Sequence, residues 1–368
     1  MKPILSATLA IVALTSSAQA QSIWDSGLHI APQAVNYEIK SPAGTTADRT
    51  KLTETAIPIF AVIPASSWLS FDVGTSWASA RVESNSSSGK SVSSINGLTD
   101  TQVRANMTLG SDFLILTAGV NLPTGRQTAK PAEQVAATRI ASDFLTFPVA
   151  AFGNGLGVTA GLAVARPVGS WNLGFGGSMR RSSEYNPFED GAGNKYRFQP
   201  GNEYRARVGV DHPYGAGRVS LGFTYSKFGD DKANGSIYNT GDRYISSGSA
   251  NSSWHGMEYS IVAWNLYRTP GTLADSSAIG HEDVFNTTVA VGIPIMGSTL
   301  QPSIEFRNWS QNAAQSSQLV NFGASWVIAN DMFALVPSAG YTYGKIAFGD
   351  GRNDLTGYRA ALSIRIGH

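Results

Sequence analysis

Residues 203–228 read EYRARVGVDHPYGAGRVSLGFTYSKF, and their alternation decides the fold. In the first half, Tyr204, Ala206, Val208 and Val210 fall on one parity, and Arg205, Arg207, Gly209 and Asp211 on the other. In the second half, Val219, Leu221, Phe223 and Tyr225 oppose Arg218, Ser220, Gly222, Thr224 and Ser226. Side chains alternate between the faces of a strand, so each half reads as a strand with one apolar and one polar face. The tight turn PYGAG at 213–217 joins them as a hairpin. Each run is roughly ten residues or more, about twice the ~5–6 usual in globular sheets.

The pattern recurs outward in both directions. Thr101, Val103, Ala105, Met107 and Leu109 oppose Gln102, Arg104, Asn106 and Thr108; Leu300, Ile304 and Phe306 oppose Gln301, Ser303, Glu305 and Arg307. At the end of the chain, Tyr358, Ala360, Leu362, Ile364 and Ile366 oppose Arg359, Ala361, Ser363 and Arg365. Long dyad-alternating strands are the signature of a transmembrane β-barrel. A bilayer has no water to satisfy an open sheet edge, so the sheet must close, with its apolar face toward lipid and its polar face toward the lumen.

Turn lengths and aromatics agree. Short connections at 64–67, 110–112, 167–170, 213–217, 294–298 and 329–331 alternate with long polar stretches at 41–50, 83–98, 123–150, 182–201, 229–240, 269–282, 310–317 and 346–354, as expected when one end faces the periplasm and the other the exterior. Trp68, Phe113, Trp171 and Phe333 follow short turns, and Tyr185, Tyr196, Tyr238, Tyr267 and Phe348 lie near long loops, as two interfacial girdles require. Strand parity then exposes a gap. Strong strands number fifteen by inspection of the alternation, whereas bacterial barrels have an even number. The strand at 217–228 must ascend and the one from Asp283 must descend, so SWHGMEYSIVAWNLYR (253–268) cannot satisfy both neighbours. The weak segment GDRYISSGSA (241–250) is the missing strand, with NSS (251–253) as its turn. The expectation is an all-β, antiparallel up-and-down barrel of about sixteen strands, with fourteen as the alternative.

Residues 1–20, with Lys2, an apolar run from Ile4 to Leu14 and Ala18-Gln19-Ala20, read as a secretory signal peptide; 21–368 read as a single barrel domain in the cell outer membrane. The chain has no cysteine, 39 glycines and a formal net charge of +1, which gives no global argument for nucleic acid.

Charge facing lipid at the midplane costs about 2–4 kcal/mol for arginine, so the polar-face charges belong to the lumen. Lumen-lining candidates are Asp72, Arg104, Arg180, Arg205, Arg207, Glu258, Glu305, Arg307, Arg359 and Arg365. One loop stands out, PTGRQTAKPAEQVAATRIASDFLTFPVA at 123–150. Pro131 can start a short helix with Ala136, Ile140 and Phe144 on one face. This loop either packs into the lumen and narrows it, with Arg126, Arg139, Ile140 and Phe144 as constriction candidates, or stands outside as a flap.

Sites for chemistry are weak. His29, His212, His255, His281 and His368 form no metal-spaced cluster, GHED (280–283) reads as a loop, and Asp211-His212 lacks a nucleophile motif, so neither an enzyme nor a cofactor is expected. The run ILTAGVNLPTGR (115–126), with GLTD (97–100) before it, resembles the outer-membrane transporter family linked to phenol meta-pathway degradation, related to the long-chain fatty-acid transporter superfamily. The resemblance spans Gly97 to the loop beyond Gly125. It implies a barrel passing small, often apolar, solutes, with no cofactor or catalytic residue. The expected function is passive diffusion of small solutes, apolar or aromatic ones among them. The alternatives are a structural, adhesion or assembly barrel, and less so a barrel hydrolase. Expected partners are the bilayer with its lipopolysaccharide, a small-molecule solute and the barrel assembly machinery, with a homo-oligomer left open. His368 ends the chain where such barrels usually place an aromatic.

Overall fold

The computed structural model describes residues 27–367 apart from 42–48, 87–88, 111–112, 274, 312–315 and 349–350. Residues 1–20, where a signal peptide is expected, and His368 lie outside the described residues.

The first strand comes in two halves, β1 (Gly27–Ile30) and β2 (Gln33–Lys40), divided at Ala31-Pro32. Next are β3 (Arg49–Pro64) and β4 (Leu69–Ser86). A further split strand, β5 (Gly89–Leu98) and β6 (Thr101–Leu109), pairs with β4 along both halves. β7 (Leu114–Leu122) leads into the long loop, which carries α1 (Gln134–Ile140), and β8 (Gly157–Val168) and β9 (Trp171–Ser182) follow. β10 (Tyr185–Glu189) and β11 (Lys195–Gln199) form a loop hairpin, β12 (Glu203–Tyr214) and β13 (Gly217–Phe228) return to the wall, and β14 (Asp231–Ala233) and β15 (Ser236–Tyr238) form a second loop hairpin. β16 (Arg243–Trp254) and β17 (Met257–Arg268) are wall strands, and β18 (Gly271–Thr272) and β19 (Ala278–Ile279) make a short ladder in the next loop. The wall ends with β20 (Glu282–Ile295), β21 (Ser298–Gln311), β22 (Ser317–Ala329), β23 (Phe333–Phe348) and β24 (Gly351–Ile366).

The main sheet has 18 strands, and β24 pairs with β1 and β2, so it closes. Counting each split strand once gives sixteen crossings, all antiparallel. The strand missing from simple alternation is β16, and it fills the gap as parity requires. Its turn is not at 251–253 but at His255-Gly256, so 253–268 is not one strand. His255 (φ 50) and Gly256 (φ 76) both take positive φ, the type I′ geometry whose twist matches a two-residue hairpin.

The face assignment follows from register. Ile57, Val158, Leu162, Phe175, Leu221, Phe223, Ile261, Ile304 and Phe322 are exposed and share the outward parity of their strands, which leaves a continuous apolar belt. A belt of this size on a closed barrel is a lipid-facing surface. Tyr225, Tyr244 and Tyr267 stand in register on its outer face near the loop end, and Trp171, stacked on His212 at 4.3 Å, stands at the short-turn end. Tyr185, Tyr196 and Tyr238 are not girdle residues; they belong to the small sheet β10-β11-β14-β15, where Tyr185 and Phe198 meet edge to face at 5.6 Å. The side chain of Phe348 lies outside the described residues.

Two stretches expected as long loops are ladders instead. The 83–98 stretch continues β4 and β5, and 346–354 continues β23 and β24. Serine and glycine disguised the alternation, yet Val82, Ile95, Ile346 and Leu355 point inward and are buried. The wall is therefore taller on this side.

Candidate functional site

The long loop folds into the barrel. Its base is a knot between the two elements that carry the family resemblance. Asp100 accepts from the backbone N–H of Gly125 (3.0 Å) and Asn154 (2.7 Å) and from the Asn121 side-chain amide (2.9 Å). A Cβ on Gly125 would stand 2.2 Å from the Phe152 carbonyl oxygen and 2.5 Å from the Asp100 nitrogen, so only glycine fits where the chain turns inward. Thr124 Oγ1 accepts from the Thr101 N–H at 2.9 Å.

Beyond the knot, Glu133 receives two hydrogen bonds from Arg126, at 2.6 and 2.7 Å, and one from the Lys130 N–H at 2.9 Å. This fixes the turn before α1. The helix is seven residues long, beginning at Gln134 rather than at Pro131. Ala136 and Ile140 face the tall wall, and the Ala136 N–H donates to Ser93 Oγ at 3.0 Å. Arg139 points away and is exposed. Among the expected constriction residues, Arg126 is engaged by Glu133 and Arg139 lies on an exposed position of α1.

The loop then reaches across to the opposite wall. Arg307 Nη1 donates to the Phe144 carbonyl (2.6 Å) and to Thr146 Oγ1 (2.8 Å). Arg359 Nη2 donates to Thr146 Oγ1 (2.7 Å), the Thr146 carbonyl (3.2 Å) and Tyr37 Oη (2.9 Å). Tyr37 Oη in turn donates to the Leu145 carbonyl at 3.1 Å, and the Val149 N–H donates to Glu54 Oε1 at 2.8 Å. Glu305 pairs with Arg307 and accepts from Asn286. Around this latch Phe144, Leu145, Phe147, Val149 and Phe152 join Val35, Tyr37, Leu52, Val284, Leu319 and Leu355 in a buried apolar cluster inside the barrel. Of the expected constriction residues, Ile140 and Phe144 are in this cluster. Tyr37 and Glu54 were not singled out from the sequence; Asp100 closes the GLTD element, Asn121 lies within the ILTAGVNLPTGR run and Thr146 within the 123–150 loop, though the sequence assigns none of the three a role.

The other half of the lumen is different. Register places Thr159, Gly161, Ala163, Gly174, Gly176, Gly209, Ser220, Gly222, Ser247 and Ser249 inward on β8, β9, β12, β13 and β16. The loop reaches this side through Asp143, 3.9 Å from Arg243. Arg104, Arg180, Arg205 and Arg207 share this inward parity, as does Asp72, opposite Arg104 on β4. Glu258 faces inward close to the short-turn end, and Arg365 faces inward opposite His29, whose Nε2 is 2.7 Å from Ser363 Oγ. Asp211 faces the lumen and pairs with Arg218, whereas His212 points outward onto Trp171. Opposite faces of one strand cannot make a catalytic dyad. Glu282 and Asp283 likewise part to opposite faces, Glu282 toward Arg268 and Trp309, and Asp283 toward Asn265. Over the mouth, burial with the Asp100 carboxylate nearby pushes the Tyr185 hydroxyl up to about 12, so it stays neutral.

No family model and no curated protein matches the sequence. Among solved structures the chain is similar to an outer membrane channel from Pseudomonas putida F1, at 11% identity over 96% of this chain and 99% of that one, TM-score 0.41. It is similar to an anion-selective porin from Comamonas acidovorans at 13% identity over 92% and 98%, TM-score 0.43. It is also similar to a TodX mutant, a monoaromatic hydrocarbon channel, at 10% identity over 94% and 91%, TM-score 0.47. These likenesses are distant, and the reading of this barrel rests on its own faces, loop and lumen.

Proposed function

We propose that this barrel sits in the cell outer membrane and passes small solutes by passive diffusion, along the half of the lumen that the latched loop leaves free. The observation that carries the reading is a pair of glycines. Gly174 and Gly209 face the lumen in register on adjacent strands. Neither has a positive φ, and a Cβ on either would lie 3.6 Å or more from its nearest neighbour. Glycine weakens a strand, and nothing in the backbone requires it here. What glycine supplies at these positions is open space. A wall that needed only to be stable would carry side chains.

The chemistry is diffusion, with the loop setting the aperture and the charged wall setting preference. The knot of GLTD and LPTG supports kinship with the phenol meta-pathway transporter family and, through it, small solutes with apolar parts. On the outside, Lys40, Arg49, Lys51, Arg81 and Lys90 outnumber Glu38 and Glu83 on the tall wall beyond the apolar belt, where they can meet lipopolysaccharide phosphates. The closing strand β24 is the element for the assembly machinery to engage.

The test is single-channel conductance of the purified barrel in planar bilayers. The parent gives steady openings, and Gly209→Leu lowers conductance by roughly a third or more, as a side chain entering a pore of this kind must. An unchanged conductance in a folded Gly209→Leu barrel would remove the passage from this half of the lumen.

A further inference from the structure

We propose that the free half of the lumen selects small organic anions that carry a ring, through a band of arginines beside a cavity walled by Phe60. The proposal rests on the channel reading above and names its solute class.

The band is built by register. Arg104 on β6 lies opposite Gly119, Gly119 opposite Thr159, Thr159 opposite Arg180, and Arg180 opposite Glu203. Arg205 and Arg207 follow on β12, and the neighbours of Arg207 on either side are Gly176 and Thr224, neither of them a carboxylate. The arginines are unevenly matched. Arg104 stands 3.7 Å from Asp72, and Arg205 is paired with Glu203. Among the described residues Arg180 and Arg207 have no hydrogen-bond or ion-pair partner, and Arg207 is exposed to the lumen. Arg205 and Arg104 both lie close enough to Arg207 to repel its charge, and Glu203 acts on it with the opposite sign. Four guanidiniums (Arg104, Arg180, Arg205, Arg207) against three carboxylates (Asp72, Asp100, Glu203) leave an excess of one positive charge in this stretch of wall, with Arg207 on the lumen side. Inside a bilayer, low-dielectric walls focus such a field and raise the local concentration of anions.

The cavity adds the second half of the recognition. A space of about 230 Å³ is bordered by Pro58, Phe60, Asp72, Asp100, Gln102 and Arg104; the Asp100 carboxylate is already committed to the Gly125, Asn154 and Asn121 donors, and Asp72 lies beside Arg104. A cavity of about 150 Å³ already admits benzene in a protein interior. The Phe60 ring lies over Gly74, 3.3 Å from where a Cβ would stand, so it offers a flat apolar wall next to the Arg104 guanidinium. A ring can stack on Phe60 while its carboxylate meets guanidinium donors, a geometry arginine is made for.

Benzoate and benzyl alcohol serve as matched probes, one charged and one not. In planar bilayers under a KCl gradient, the parent barrel should show a reversal potential of anion selectivity, and Arg207→Glu should lower the chloride-to-potassium permeability ratio by roughly tenfold. Benzoate should reduce the chloride current saturably, Phe60→Ala and Arg104→Ala should abolish saturation, and benzyl alcohol should not compete. Unchanged heat-dependent gel mobility establishes that each variant is folded. A cation-selective parent, an Arg207→Glu variant with unaltered selectivity, or equal block by benzyl alcohol overturns the proposal. A folded barrel with no conductance removes the channel reading instead. Quenching of its tryptophan fluorescence by benzoate, lost in Arg104→Ala, would then still uphold the anion site, and no quenching would end it.

Discussion

Two residues decide how the loop is held. Thr146 is buried, β-branched and at φ 50, a conformation that costs on the order of 1–3 kcal/mol. It persists because guanidiniums from two strands grip its hydroxyl, one of them also its carbonyl. Asp100 does the opposite service at the loop base, gathering three donors onto one carboxylate. Asp100→Ala leaves the Gly125 and Asn154 N–H groups without this acceptor, at ~1–3 kcal/mol for each one that water cannot reach, while Asn121 Nδ2 keeps the Gly155 carbonyl. The expected result is a barrel that still closes but unfolds at a lower temperature in the gel-shift assay, with noisier open-channel current. A variant as stable and as quiet as the parent would show that the knot is held by Gly125 and Thr124 alone. Glu54 is more puzzling: one oxygen holds the Val149 N–H, and the other is buried with no partner.

At the scale of elements, the loop is an insert that turns a water-filled barrel into a half-filled one. Removing 127–143 takes away α1 and its contacts with the tall wall, so single-channel conductance should rise severalfold; no increase would mean that 144–152 alone sets the aperture. How much of this was legible depends on distance along the chain. The wall strands could be read because lipid and water press opposite demands on alternate residues, and the parity of a closed sheet recovered even the weak β16. The phase of α1 was visible in Ala136 and Ile140, since a short helix writes its buried face locally, whereas Phe144, expected on the same helical face, lies beyond the helix end in a turn. The strands that the rest of the loop latches onto were not, because Phe144 meets Arg307 across 163 positions and no local pattern carries that pairing. The small mouth sheet escaped notice for another reason: strands of three to five residues are too short to show a period. Lumen residues had a face readable from parity, but whether each is spent on a neighbour, as Arg218 is on Asp211, or left facing the passage, as Arg207 is, depends on register.

For the whole molecule, stability comes from closure. Each wall strand has a neighbour on both sides, so no edge is left to fray and separation of any one pair opens the ring. Such a barrel should resist detergent at room temperature and change its gel mobility only after heating; identical migration of heated and unheated samples would contradict a closed sheet. The outer girdle and the latched interior then meet the same demand from two sides, one against lipid and one against the loop.

The uneven height of the rim has a practical consequence. The β4–β5 hairpin carries its paired backbone from Trp77 and Leu98 up to Ser86 and Gly89, past the lipid belt and away from the passage. A short epitope inserted between Ser86 and Gly89 would ride on a stiff mast. On intact bacteria an antibody should reach it without permeabilising the envelope, whereas an epitope placed at His255-Gly256 should stay hidden. The reverse labelling would turn the barrel upside down.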